Sequence, residues 1–80
     1  MRITIRLLAS YRQYLPAHSD ELAGYTMEAA DGALVGDVLA AAPIPPDDFF
    51  TVLVNGRHAT HDQVLHEGDV LSVFPAVGGG

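Results

Sequence analysis

The residues with the plainest chemical potential are the last three, Gly78-Gly79-Gly80, which follow directly on the apolar run Val70-Leu71-Ser72-Val73-Phe74-Pro75-Ala76-Val77. A carboxylate on glycine has no Cβ beside it, so it can enter a narrow channel in another protein and meet a nucleophile there. An extended tail from Phe74 to Gly80 spans roughly 20 Å, at about 3.3–3.6 Å per residue. The reactive group of such a protein is its own terminus, worked on in a partner's active site. A glycine run by itself also suits a flexible linker.

Other chemistry-bearing residues are sparse. His58, His61 and His66 invite a metal reading, but no cysteine or carboxylate set completes a site, and surface histidines on a hairpin and a turn are the expectation; no metal is assigned. Asp20-Glu21 and Asp47-Asp48 could pair as acid and base, yet each pair is adjacent in a loop and reads as solvated. There is no cysteine, hence no disulfide and no thiolate nucleophile, and the four cationic side chains are all arginine (Arg2, Arg6, Arg12, Arg57), leaving no lysine to accept an isopeptide bond. With neither thiol nor side-chain amine present, the α-amine is the one amine on the chain.

The formal net charge is −6. That argues against nucleic acid, which needs a basic face, and suits either plain solubility or encounter with a basic protein surface. No apolar run approaches the roughly 20 residues of a membrane span, and Met1-Arg2-Ile3-Thr4-Ile5-Arg6 alternates instead of opening a secretory h-region. A cytoplasmic location, with no membrane partner, is the expectation. Eighty residues make one domain, with residues 1–77 as its body and 78–80 as a flexible glycine tail.

The elements that must position the tail follow from periodicity. Residues 2–8 read as a strand, Ile3, Ile5 and Leu7 facing one way. Ser10–Leu15 reads as one or two helical turns, with Ser10 as a cap and Pro16 as a stop, and 16–24 as a surface loop ending in Gly24. Residues 25–29 alternate as a second strand. Val35, Val38, Leu39 and Ala42 form one helical stripe, closed by Pro43-Ile44-Pro45-Pro46, with Gly36 an awkward helix residue and Asp37 suited to the helix dipole. Phe49–Val54 is a strand, Asn55-Gly56 a type I′ hairpin signal, and 57–59 its return. Val64-Leu65 reads as a plug into the core. Val70–Phe74 is apolar on both faces, as expected of a central strand covered on both sides. One helix over a mixed sheet, with the first and last strands adjacent and parallel, is an α+β fold of the β-grasp, ubiquitin-like kind.

Val54-Asn55-Gly56-Arg57, Leu65-His66-Glu67-Gly68-Asp69-Val70 and Phe74-Pro75-Ala76-Val77-Gly78-Gly79-Gly80, with the helix entry Leu34-Val35-Gly36-Asp37-Val38-Leu39, resemble the MoaD/ThiS family of sulfur carriers. No one of these motifs is specific; their order and spacing against a terminal diglycine carry the likeness. The resemblance implies that Gly80 is adenylated by a ubiquitin-activating-type enzyme using ATP and Mg, then converted to a thiocarboxylate that delivers sulfur. It implies that Gly78 and Gly79 occupy the partner's channel, and that Phe74, Pro75 and Val77 form an apolar partner surface. Catalysis would lie in partners: the adenylating enzyme and a sulfur-accepting synthase large subunit. The carrier itself binds no cofactor. Length and the insertion between the first two strands point to the molybdopterin synthase small subunit branch. Gly78 in place of Ser or Ala, and Ala76 in place of a second proline, depart from that branch. Carriers for thiazole, cysteine or RNA thiolation remain open, as does a ubiquitin-like modifier or interaction domain.

Overall fold

The computed structural model describes residues 1–45 and 49–76. Five strands lie in one sheet in the order β2-β1-β5-β3-β4, where β1 is Arg2–Leu7, β2 Tyr25–Glu28, β3 Phe50–Val54, β4 Arg57–His58 and β5 Val70–Pro75. β1 and β5 are parallel, Ile5 opposite Leu71 and Leu7 opposite Val73; the other pairings are antiparallel. The expected β-grasp arrangement is therefore present, with the last strand at its centre.

Helix α1, Val35–Ala41, covers one face. Alternation sends Ile3, Ile5, Leu7, Val52, Val54, Leu71 and Val73 to that face, where they are buried with Val35, Val38 and Leu39 of the helix. Asp37 Oδ2 accepts the Leu34 amide at 2.9 Å, so this acid closes the helix start as well as facing its dipole. Gly36 has a packing reason that the sequence conceals. Its amide donates to the His61 carbonyl at 2.8 Å, and a Cβ there would stand 3.1 Å from that oxygen.

Several local expectations need correction. The helical turns expected after β1 are present as a 3-10 helix, Ala9–Tyr14, but Ser10 does not cap it: the flanking residue is Leu8, without a side-chain cap, and the chain enters through Ala9 at φ 53°. Of the Val64-Leu65 pair only Leu65 is a plug; Val64 is 46% exposed. β5 is central, but α1 covers one of its faces. On the opposite face Ser72 is buried while Val70 and Phe74 are half-buried, without α1 over them. Among the described residues no helix is long and apolar enough to cross a membrane.

Candidate functional site

Because β1 and β5 run in parallel, both finish at the same end of the sheet, and antiparallel β3 begins there. Phe50 stands opposite Pro75 and Thr51 opposite Phe74. The Ala76 amide still donates to the Phe49 carbonyl at 3.0 Å, so the last described residue remains tied to the start of β3. On the other side the Leu8 amide donates to the Val73 carbonyl at 2.9 Å. The end of β5, as far as Ala76, is therefore held between these two flanking segments.

An apolar collar surrounds this exit. Leu8, Phe74 and Pro75 are half-buried, and Phe49 is 87% exposed. Strand alternation places Phe74 and Thr51 on the face away from α1, and Phe49 continues that row beside Ala76. An exposed phenylalanine beside half-buried apolar neighbours has the character of a partner surface. Of the expected surface, Phe74 and Pro75 take these positions; Val77, Gly78, Gly79 and Gly80 lie outside the described residues. Phe49 was not among the expected site residues, since Phe49-Phe50 reads simply as the start of a strand. The period of two carries the missing signal: adjacent phenylalanines must face opposite ways, and only Phe50 can join the core side.

Phe50 lines a hollow of ≈ 270 Å³ next to the exit on the helix face, with Leu39, Ala40, Ile44, Pro45 and His61. The His61 ring stacks on Phe50, with centroids 5.8 Å apart and planes 18° apart. That contact gives one of the three candidate histidines a packing role.

The structure does not bring the other candidates together. His58 and His66 are exposed, and His66 Nδ1 stands 3.9 Å from Asp69 Oδ2. Among the described residues, no three of His, Cys, Asp and Glu come together as a metal-binding group. Asp20 accepts the Leu22 and Ala23 amides, each at 2.8 Å, and the Ala23 and Leu22 bonds hold its carboxyl below the usual carboxylate range. It pins a turn and is not paired with Glu21 for proton transfer. Asp47 and Asp48 lie outside the described residues. Tyr11 is buried and packs near Tyr14, ring centroids 6.0 Å apart.

The model of the ThiS family matches residues 13–80. Among solved structures, the crystal structure of SAMP1 from Haloferax volcanii is similar over 100% of both chains, at 26% identity and a TM-score of 0.75. A putative molybdopterin converting factor, subunit 1, from Pyrococcus furiosus is similar over 95% of this chain and 98% of its own, at 23% identity and a TM-score of 0.77. A second crystal structure, of small archaeal modifier protein 1 from H. volcanii, shares 24% identity over 95% of this chain and 98% of its own, at a TM-score of 0.73. No curated protein matches the sequence.

Proposed function

We propose, from the premise that the chain belongs to the ThiS family, that it is a sulfur carrier whose terminal Gly80 is converted to a thiocarboxylate, serving molybdopterin synthesis. Proteins of the ThiS/MoaD kind are small ubiquitin-like carriers or modifiers, generally carriers or subunits in place of catalysts, and they work with an activating enzyme and a synthase subunit. The observation that supports the reading is the end of the central strand: β5 and Ala76 finish among Leu8, Phe49, Phe74 and Pro75, an apolar group at one end of the sheet.

The chemistry suits that placement. A carboxylate is a poor electrophile. Attack of the Gly80 carboxylate on the α-phosphorus of ATP, with loss of pyrophosphate, would give it an adenylate leaving group, and a sulfide equivalent from the donor would then displace AMP. ATP and Mg belong to the activating enzyme in this scheme. The absence of cysteine and lysine supports it, because an activated terminus would meet neither nucleophile on a second copy. A cytoplasmic setting is part of the proposal. Length and the insertion between β1 and β2 support the molybdopterin branch over thiazole, cysteine or RNA thiolation.

The modifier reading has an observation of its own, the similarity to SAMP1 over the whole chain. Isolation from the native cell followed by mass spectrometry separates the two. The carrier reading expects free chain, with a gain of about 16 Da at the carboxyl group for oxygen exchanged by sulfur, and a single non-covalent complex. Recovery chiefly as isopeptide-linked products on many proteins would sink it in favour of the modifier.

Phe49 should matter to the partner and not to the fold. Phe49→Asp is expected to weaken binding to the activating enzyme or synthase subunit by at least about tenfold, as for a central apolar anchor, with an unchanged thermal melt. Val64→Asp is the matched control, since Val64 is also exposed but pairs with Leu34 at the start of α1. Calorimetric titration of both variants checks this; equal affinity losses would remove Phe49 from the partner surface.

A further inference from the structure

We propose that Asn55-Gly56 is a self-modification site, an asparagine set up for deamidation and held unreacted by a clasp to Asp69 and Val70. The proposal is independent of the chemistry at Gly80. Asn55 is the sole asparagine of the chain, and glycine follows it. Deamidation at such a pair begins with the next backbone nitrogen attacking the side-chain carbonyl carbon, and a glycine nitrogen has no Cβ to shield it. The Gly56 nitrogen gives up its proton and bonds to Cγ of Asn55. The Cγ–Nδ2 bond breaks, and Nδ2 leaves as ammonia with that proton. Water then opens the cyclic imide to aspartate or its β-linked isomer. No oxidant or reductant enters.

The fold opposes the first step. Asn55 Nδ2 donates to Asp69 Oδ1 at 2.9 Å, and Asn55 Oδ1 accepts the Val70 amide at 2.9 Å. The Asn55 amide donates to the Val70 carbonyl at 2.8 Å. Asp69 is itself fixed, 9% exposed, with Oδ2 accepting the His66 amide at 2.8 Å. The turn is left-handed at both residues, φ 51° at Asn55 and 85° at Gly56. Both polar atoms of the side-chain amide are engaged, so any rotation of the amide toward the Gly56 nitrogen breaks both of its hydrogen bonds. Reaction therefore waits on local opening of the clasp.

The product would not fit the site it leaves. A carboxylate at position 55 loses the donor to Asp69 and faces a second carboxylate at hydrogen-bond range, where like charges repel. The clasp joins the β3–β4 turn to the segment entering β5, the strand that carries the tail. Deamidation would release that joint at the end of the sheet opposite the exit.

The test follows deamidation by intact mass and peptide mapping at neutral pH, for the native protein, for the same protein unfolded in urea, and for Asp69→Ala. The native rate is expected to be at least about tenfold below the unfolded rate, and folded Asp69→Ala should recover most of that difference. Isomerisation at Asp31-Gly32 leaves the mass unchanged, and mapping separates Gln13 and Gln63. Should Asp69→Ala fail to fold, the native protein in sub-denaturing urea decides: its deamidation rate must follow hydrogen exchange at the Val70 amide. A native rate equal to the unfolded one, no acceleration in folded Asp69→Ala, or a rate indifferent to Val70 exchange each overturns the proposal.

Discussion

Deletion of Gly80 alone is expected to abolish sulfur loading in an assay with the cognate activating enzyme, ATP and a sulfur donor, and to leave the thermal melt unchanged. The shortened chain still ends in a glycine carboxylate, Gly79, so its intrinsic chemistry is the same. What changes is reach. Each extended residue spans about 3.3–3.6 Å, whereas a misplacement of about 1 Å from productive geometry can cost a hundredfold in rate. A loss of at least about a hundredfold therefore follows if the partner's site measures the tail from the collar, which Ala76 fixes through its bond to Phe49. Gly80→Ala keeps the length but sets a Cβ beside the carboxylate, and it should also load poorly. Intact-mass analysis reads both variants. A deletion variant that gains sulfur at the wild-type rate would sink the assignment of Gly80 as the reacting position.

The arrangement that makes this prediction possible was largely legible in sequence because it rests on periodicity. Ile3, Ile5 and Leu7 alternate, Val35, Val38 and Leu39 form a stripe, and Asn55-Gly56 fixes a hairpin, with φ 51° and 85° as a type I′ turn requires. These are local patterns, and each locates its own element. The misreadings concern residues whose reasons lie elsewhere in the chain. Gly36 looks like a poor helix former until the His61 carbonyl is placed against it. Ser10 is a better cap than Leu8 by residue type, but the entry through Ala9 decides the matter. Val64 and Leu65 are equally apolar, and only the tertiary fold tells which one is covered. Phe49 is the case that bears on the proposed partner surface. Alternation separates it from Phe50, yet its exposure depends on where β3 starts relative to Ala76, a fact of pairing and not of composition.

Gly24→Ala is expected to be the most damaging single-methyl change in the described residues, although the sequence presents Gly24 as the end of a polar surface loop. Gly24 has φ +80°, and a Cβ built there would stand 1.9 Å from the Ile5 carbonyl oxygen, 2.8 Å from the Ile5 carbonyl carbon and 3.0 Å from the Arg6 Cα. All three are backbone atoms of β1 and cannot swing aside as a side chain would. The loop cannot lift away cheaply either. Asp20 and Gly24 exchange backbone hydrogen bonds at 3.0 and 2.8 Å, and Arg6 Nε holds the Leu22 carbonyl at 2.8 Å. Gly32 supplies the control. Its φ is +83°, but a Cβ there meets nothing within 4 Å. Gly32→Ala should cost only the left-handed backbone term, roughly 1–2 kcal/mol. Gly24→Ala adds displacement of β1 from β2 and should exceed about 4 kcal/mol, the range reserved for a named structural fault. For a domain of this size each kcal/mol lowers the melting temperature by about 4–8 °C, so urea and thermal melts resolve the two variants without difficulty. Equal losses would mean that the loop moves off β1 at no cost. Since β1 flanks β5, such freedom would also leave the end of β5 held from the β3 side alone.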